Sequence, residues 1–311
     1  MFDNLYDFYR KNCEQHSDRI LFNGTIRYSE GFKLAEQRAA FLQAEGFKKG
    51  DVIAILAVSN HEWILSYMAI NMMGGIVLPL DTNLPAAQLT LMLKKMKVKA
   101  AFVSDGYKKS VRGIKTYSVE QGKSIDKKKP LKVPVMKPDD IASYIFTSGT
   151  TGDPKIVTLT HRNIFATADS TAQVAHMSEH DVMLCILPLY HVYALDACFV
   201  GPFARGGSFV YQTSLKGPDI MKSLAENPIT IFPAAPLLWE MFMDGIINKV
   251  RAESNFKYRL FTFFLEYGTL MRRIGLSAVV NKIFDPVHAV FGKSHRFFIS
   301  GGAPLKDRYR K

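Results

Sequence analysis

Nine residues, Thr147-Ser148-Gly149-Thr150-Thr151-Gly152-Asp153-Pro154-Lys155, gather four hydroxyls, two glycines and one lysine in a single run. Amides that can converge on an oxygen, hydroxyl donors and a point positive charge are what a backbone needs to wrap a polyphosphate. The apolar runs on either side, Ile141 to Phe146 and Ile156 to Leu159, read as strands, so the loop joins two strands. A Walker A loop needs glycine where Pro154 stands and a helix directly after its lysine, and this chain offers neither. The expected ligand is ATP, held by a loop of another kind.

The run Tyr144 to Lys155, followed by Leu159-Thr160-His161-Arg162-Asn163, resembles the signature of adenylate-forming acyl-CoA synthetases. Ile156 departs from it, standing where that family commonly has glycine. The resemblance implies a reaction in which a carboxylate attacks the α-phosphorus of ATP and pyrophosphate leaves. The enzyme's tasks are then alignment and the neutralising of phosphate charge. Thr147, Ser148, Gly149, Thr150, Thr151 and Gly152 are expected to bind the β- and γ-phosphates, with Lys155 supplying charge as a catalytic residue.

Two further segments carry the same resemblance. Pro188-Leu189-Tyr190-His191-Val192-Tyr193 is similar to the family's second signature, which implies that His191 borders the carboxylate and the acyl tunnel. A histidine in an apolar stretch is otherwise a satisfied core residue. Ser300-Gly301-Gly302-Ala303-Pro304-Leu305 resembles the glycine-rich strand end against which the adenine and the acyl group lie, so Gly301, Gly302, Ala303 and Pro304 join the nucleotide-binding set. Phe256, Leu260, Phe261, Phe263, Phe264, Tyr267, Leu270 and Met271 fall in a helix-compatible, basic stretch. Core packing is its ordinary reading. Its place before Gly301 resembles the extended helical region of long-chain fatty acyl-CoA synthetases, which implies a fatty substrate or a contact with a membrane.

The elements that must position these residues are legible upstream. Asn23-Gly24 has the composition of a two-residue hairpin, and Ser29 is placed to cap a helix running toward Glu45 with Gly46 as its stop. Strands are expected at Val52 to Ala57, Ile76 to Leu80, Ala100 to Val103, Val182 to Leu187, Ser208 to Tyr211, Ile229 to Phe232 and Arg296 to Ile299. Helices are expected from His61 to Met73, from Pro85 to Lys97 and, capped by Thr160, from His161 to Ala175. Alternation of this kind predicts an α/β fold with largely parallel sheets. The resemblance makes residues 1–311 a partial N-terminal AMP-binding domain of two layered, intertwined α/β subdomains, with a Lys- and Pro-rich surface connection near 118–140.

Length and composition bound the alternatives. With 311 residues, 48% of them hydrophobic, the chain can bury a large core, which excludes a disordered tail. The uncharged span Trp63 to Leu80 approaches a bilayer-crossing length, but Asn71, Gly74, Gly75 and Pro79 divide it into a buried helix and a buried strand. A formal charge of +12 comes from scattered lysines without interleaved aromatics, so no nucleic-acid partner is expected. The same field attracts ATP, coenzyme A or an anionic membrane. Cys13, Cys185 and Cys198 lack redox or metal spacing, as do His161, His176 and His180, and no residue is assigned as a metal ligand. The N-terminus has acids where a signal peptide has bases, so a cytoplasmic protein, with peripheral membrane contact left open, is the expectation.

The family continues beyond the segment matched by Ser300 to Leu305 into a magnesium-binding glutamate, a ribose-binding aspartate and a small C-terminal domain with a catalytic lysine. The resemblance therefore implies that this is the N-terminal portion of a fatty acid–CoA ligase using ATP, Mg2+ and coenzyme A, itself impaired. Alternatives are an acyl-AMP ligase without thioester formation and a noncatalytic remnant that binds nucleotide or acyl chains.

Overall fold

The computed structural model describes residues 2–120, 130–147, 155–292 and 294–307. Two compact units are built, one from Met1–Asp181 with Pro188–Thr213 and one from Val182–Leu187 with Ser214–Lys311. Strands and helices alternate and most strand pairs are parallel, the α/β fold that the sequence predicts.

The first unit opens with α1 (Leu5–Gln15), then the hairpin β1 (Ile20–Phe22) and β2 (Ile26–Arg27). Asn23 and Gly24 take φ of 45° and 70°, the left-handed pair that lets two strands turn back without splaying. Helix α2 (Tyr28–Ala44) begins one residue before Ser29, so Ser29 is not its cap. The Ser29 hydroxyl donates instead to the Ser17 carbonyl at 2.9 Å. There follow β3 (Val52–Leu56), α3 (His61–Met72), β4 (Ile76–Pro79), α4 (Ala86–Lys95) and β5 (Ala100–Val103). Strands β3 to β5 are apolar almost throughout because helices cover both faces of a parallel sheet. Trp63 to Leu80 is core, as expected, and no helix among the described residues is long and apolar enough to cross a membrane.

Strand β6 (Lys115–Ser118), unannounced by its polar sequence, completes one edge. Of the connection near 118–140, residues 121–129 lie outside the described residues, and Val119 and Met136 are buried rather than on the surface. Strands β7 (Ile141–Thr147) and β8 (Lys155–Thr160) complete the other edge, giving the order β6-β5-β3-β4-β7-β8. Helix α5 (His161–Val174) starts with a full capping box, in which the Thr160 hydroxyl and the Asn163 side chain each serve the other's backbone amide.

The chain then contributes β9 (Val182–Cys185) to the second unit and returns through α6 (Val192–Leu195), a π-helical turn (Asp196–Val200), α7 (Gly201–Phe203) and β10 (Ser208–Tyr211). Strand β10 pairs in parallel with β1, Phe22 opposite Phe209. The rest of the second unit is α8 (Gly217–Glu226), β11 (Ile231–Ala234), α9 (Pro236–Glu253), α10 (Asn255–Arg273), α11 (Ser277–Val290) and β12 (Phe297–Ser300). Strand β11 pairs in parallel with β9 and with β12. The three cysteines are buried thiols.

Candidate active site

In the first unit β3, β4, β5 and β7 are parallel, so their carboxyl ends share one edge of the sheet. The crossover from β3 moves outward to β4, whereas that from β4 returns past β3 to β5. Such a reversal opens a crevice at the carboxyl ends, where α/β sheets hold ligands.

Strand β7 brings Thr147, the first residue of the run expected to bind phosphate, to this edge. Its last residue, Thr147, pairs with the first residue of the antiparallel β8, Lys155. The Thr147 hydroxyl lies 3.5 Å from the Lys155 carbonyl, and Lys155 is exposed. Ser148, Gly149, Thr150, Thr151 and Gly152 lie outside the described residues. The hairpin register nevertheless fixes both ends from which that loop departs.

The segment Pro188–Tyr193 reaches the same edge by side-chain bonds. The Leu189 amide donates to the Ser59 hydroxyl at 2.8 Å, just beyond the end of β3. Asn83 Nδ2, beyond the end of β4, donates to the Tyr190 hydroxyl at 3.3 Å, and that hydroxyl is also hydrogen bonded to Asp81. Burial, then the Asp81 carboxylate, push the Tyr190 phenol up to about 12. The Tyr190 and His191 rings are 4.5 Å apart, and His191 is exposed at the N-cap of α6. Thr147 and Lys155 thus stand at the carboxyl edge of this sheet, and the segment that carries His191 is bonded through Leu189 and Tyr190 to the turns that leave β3 and β4 at that edge.

The bonds from Ser59, Asp81 and Asn83 were not foreseen from the sequence. The turn residues Asp81 and Asn83, directly after an apolar strand, were the available signal. Three residues after Tyr193, Asp196 accepts from the Thr171 hydroxyl at 2.6 Å while its other carboxylate oxygen is buried without a partner. Burial raises its carboxyl to about 6.

His161, which lacks metal-ligand spacing in the sequence, is a structural residue. It is buried, and its Nδ1 accepts the Leu5 amide at 3.1 Å, closing the first turn of α1. Burial lowers its imidazole to about 4, so the ring stays a neutral acceptor. His180 is exposed. Among the described residues no group of three or more His, Cys, Asp or Glu side chains is arranged to hold a metal ion.

In the second unit, Gly301 leaves the carboxyl end of β12, its amide 3.4 Å from the Ala234 carbonyl. Gly302 has φ of 81°, a conformation strained for any side chain, and Ala303 and Pro304 are exposed. Lys306 Nζ lies 2.5 Å from the buried Glu240 carboxylate of α9, which fixes the segment after Pro304. Trp239 Nε1 donates to the Ile299 carbonyl at 3.3 Å. A cavity of about 1030 Å³ opens among α9, α10, α11 and β12, lined by aromatic side chains that include Phe242, Phe261, Phe284 and Phe298.

The sequence is 26% identical to long chain acyl-CoA synthetase 5 of Arabidopsis thaliana, over 89% of this chain and 48% of that protein. It is 25% identical to 4-coumarate–CoA ligase CCL1 of Humulus lupulus, over 75% of this chain and 47% of that protein. The chain thus spans about half the length of the curated relatives it matches. Its fold is similar to that of the O-succinylbenzoate coenzyme A synthetase of Bacillus subtilis solved in complex with AMP, with a TM-score of 0.69 at 24% identity over 75% of this chain and 62% of that one. The profile of the AMP-binding enzymes matches residues 9–311, and the chain belongs to that family.

Proposed function

We propose that the polypeptide carrying residues 1–311 is an ATP-dependent fatty acid–CoA ligase, and that this chain is its intertwined N-terminal AMP-binding portion. The observation that carries the reading is that Thr147 and Lys155 stand at the carboxyl edge of a sheet to whose strand-end turns the His191 segment is bonded through Leu189 and Tyr190. Relatives that are acyl-CoA and coumarate–CoA ligases support the reaction class.

In this reading the loop entered at Thr147 and left at Lys155 binds the β- and γ-phosphates. Its amides and hydroxyls, with the Lys155 ammonium, stabilise charge as pyrophosphate departs. His191, positioned through Tyr190, borders the substrate carboxylate as its oxygen bonds to the α-phosphorus. Gly301 and Gly302 allow the backbone to approach the adenylate, and Ala303 and Pro304 continue that surface. Coenzyme A then takes the acyl group as a thioester, releasing AMP. Magnesium enters as the companion of ATP, and no step here is assigned to a protein-held ion. The aromatic cavity of the second unit supports a fatty rather than a small polar acid.

The test is ATP–pyrophosphate exchange by the full polypeptide with a panel of fatty and aromatic acids, followed by product analysis with coenzyme A. Fatty-acid-dependent exchange and thioester formation are expected. Exchange without thioester identifies an acyl-AMP ligase, and nucleotide binding without exchange identifies a noncatalytic binding protein.

A further inference from the structure

We infer that Thr171 and Tyr211 are positioning residues for His191, holding open a π turn that sets the rotation of the helix His191 caps. The inference rests on the adenylation reading of His191. Helix α6, the π turn and α7 run without a break from Val192 to Phe203. The ladder is α-helical at both ends, where the Leu195 amide donates to the His191 carbonyl at 2.9 Å and the Ala204 amide to that of Val200 at 3.2 Å. Between them the Gly201 amide reaches back five residues to the Asp196 carbonyl. One added residue in a turn rotates everything before it by roughly 100° about the axis, relative to an unbroken α-helix. The azimuth of α6, and with it the direction of the chain at His191, therefore depends on whether this turn stays open.

Sequence and packing both keep it open. Pro202 has no amide, and in an α-helix its ring clashes with the carbonyl four residues back. That carbonyl belongs to Cys198, and it accepts from the buried Tyr211 hydroxyl at 3.0 Å. From α5 the Thr171 hydroxyl donates to the Asp196 carboxylate at 2.6 Å. The second Asp196 oxygen is buried without a partner, so Thr171 is the hydrogen-bond tether of that side chain. A Cβ at Gly201 would stand 3.0 Å from Thr171 Cγ2 and 3.2 Å from the Asp196 carbonyl oxygen, so glycine is what lets α5 lie this close to the turn. Closing the turn would break the Gly201–Asp196 bond and move the two groups that Thr171 and Tyr211 hold. On its other side the segment is fixed by Leu189 on Ser59 and Tyr190 on Asn83, which leaves His191 between two anchored ends.

The full polypeptide, isotope-labelled at histidine Cε1, is compared with its variants by NMR and by ATP–pyrophosphate exchange. The His191 resonance is the one lost in His191→Ala. Thr171→Val, which keeps the shape and deletes the hydroxyl, and Tyr211→Phe should each move that resonance and lower exchange roughly tenfold under conditions where both are folded. The loss should lie in kcat and in KM for the acid, with KM for ATP unchanged, and Thr171→Ser should recover it. Pro202→Ala, which returns the missing amide, should move the resonance too. In a His191→Ala background Thr171→Val should cost nothing further, because its effect passes through the imidazole. An unmoved resonance in both hydroxyl deletions, or an undiminished loss in the His191→Ala background, would overturn the inference. Normal exchange by His191→Ala alone would strike His191 from the adenylation reading, and the resonance would still decide whether the turn positions its ring.

Discussion

The Tyr190 hydroxyl accepts a hydrogen bond from Asn83 Nδ2 at 3.3 Å, tying the segment that carries His191 to the turn that ends β4. With Asp81 on the same hydroxyl and Ser59 receiving the Leu189 amide, the orientation of an exposed histidine is set by residues more than a hundred positions earlier. Asn83→Ala leaves Tyr190 one partner short at the surface, where little stability is lost. Exchange activity should fall by roughly fivefold to tenfold with melting unchanged, about 1 kcal/mol of lost positioning. An equal fall in melting temperature and activity would assign Asn83 to stability alone.

Lys155 begins β8 with its side chain exposed, so its removal should spare the fold. Lys155→Ala should lower ATP–pyrophosphate exchange by about a hundredfold, with Lys155→Arg recovering only part because a guanidinium is not a point charge. Normal exchange in the alanine variant would remove this residue from the proposed phosphate site.

His161 predicts a loss of stability with acid. Its folded pKa, about 4, lies below the ordinary value near 6.5, so between those limits the unfolded chain takes the proton first. The stabilisation is full above pH 6.5 and lost as pH falls toward 4, by on the order of 3 kcal/mol. Urea midpoints measured across this window should flatten in His161→Asn relative to the parent.

Asp196 has the opposite slope. Its folded pKa is raised to about 6, so the protonated acid is favoured by folding, and the residue's contribution grows as pH falls from 6 toward 4. Asp196→Asn should therefore be neutral or stabilising at pH 7 and steepen the acid loss governed by His161. A lower urea midpoint for the variant at pH 7 would contradict the penalty assigned to its buried, partnerless oxygen.

Arg38 and Glu62 form a buried ion pair between α2 and α3, Nη2 to Oε2 2.5 Å, with a second guanidinium nitrogen on Ser66 Oγ. Arg38→Met strands a carboxylate and should cost about 3 kcal/mol by equilibrium unfolding. Adding Glu62→Leu should recover much of that loss, because the pair's own desolvation is then also removed.

Legibility in the sequence followed the strength of local chemistry. Ala100–Val103 and Ser208–Tyr211 were bounded to the residue because turn signals flank short apolar runs. The Thr160 cap was readable for a similar reason, since its partner Asn163 lies within the same turn. Ser29 misled because a serine can serve a distant carbonyl as readily as a helix amide, and only the fold brings Ser17 beside it. Strand β6 was illegible, its polar residues being held by pairing with β5 rather than by burial. At the proposed site, Lys155 and His191 are singled out by motif, whereas turn residues such as Asp81 and Asn83 are legible only as a turn, and their bonds to the Pro188–Tyr193 segment, like that of Ser59, join positions over a hundred residues apart.

The pairing of β1 with β10 has a consequence for synthesis. The Asn23 amide donates to the Phe209 carbonyl, and Tyr211 donates to the Asn23 side chain from 188 residues away. At 5–20 residues per second a ribosome needs roughly ten to forty seconds to deliver that partner after the hairpin has emerged. Throughout that interval one rim of the newborn hairpin has open backbone groups, ready for a chaperone or for a wrong strand. The rate of elongation between codons 24 and 211 is therefore a variable in whether this unit folds.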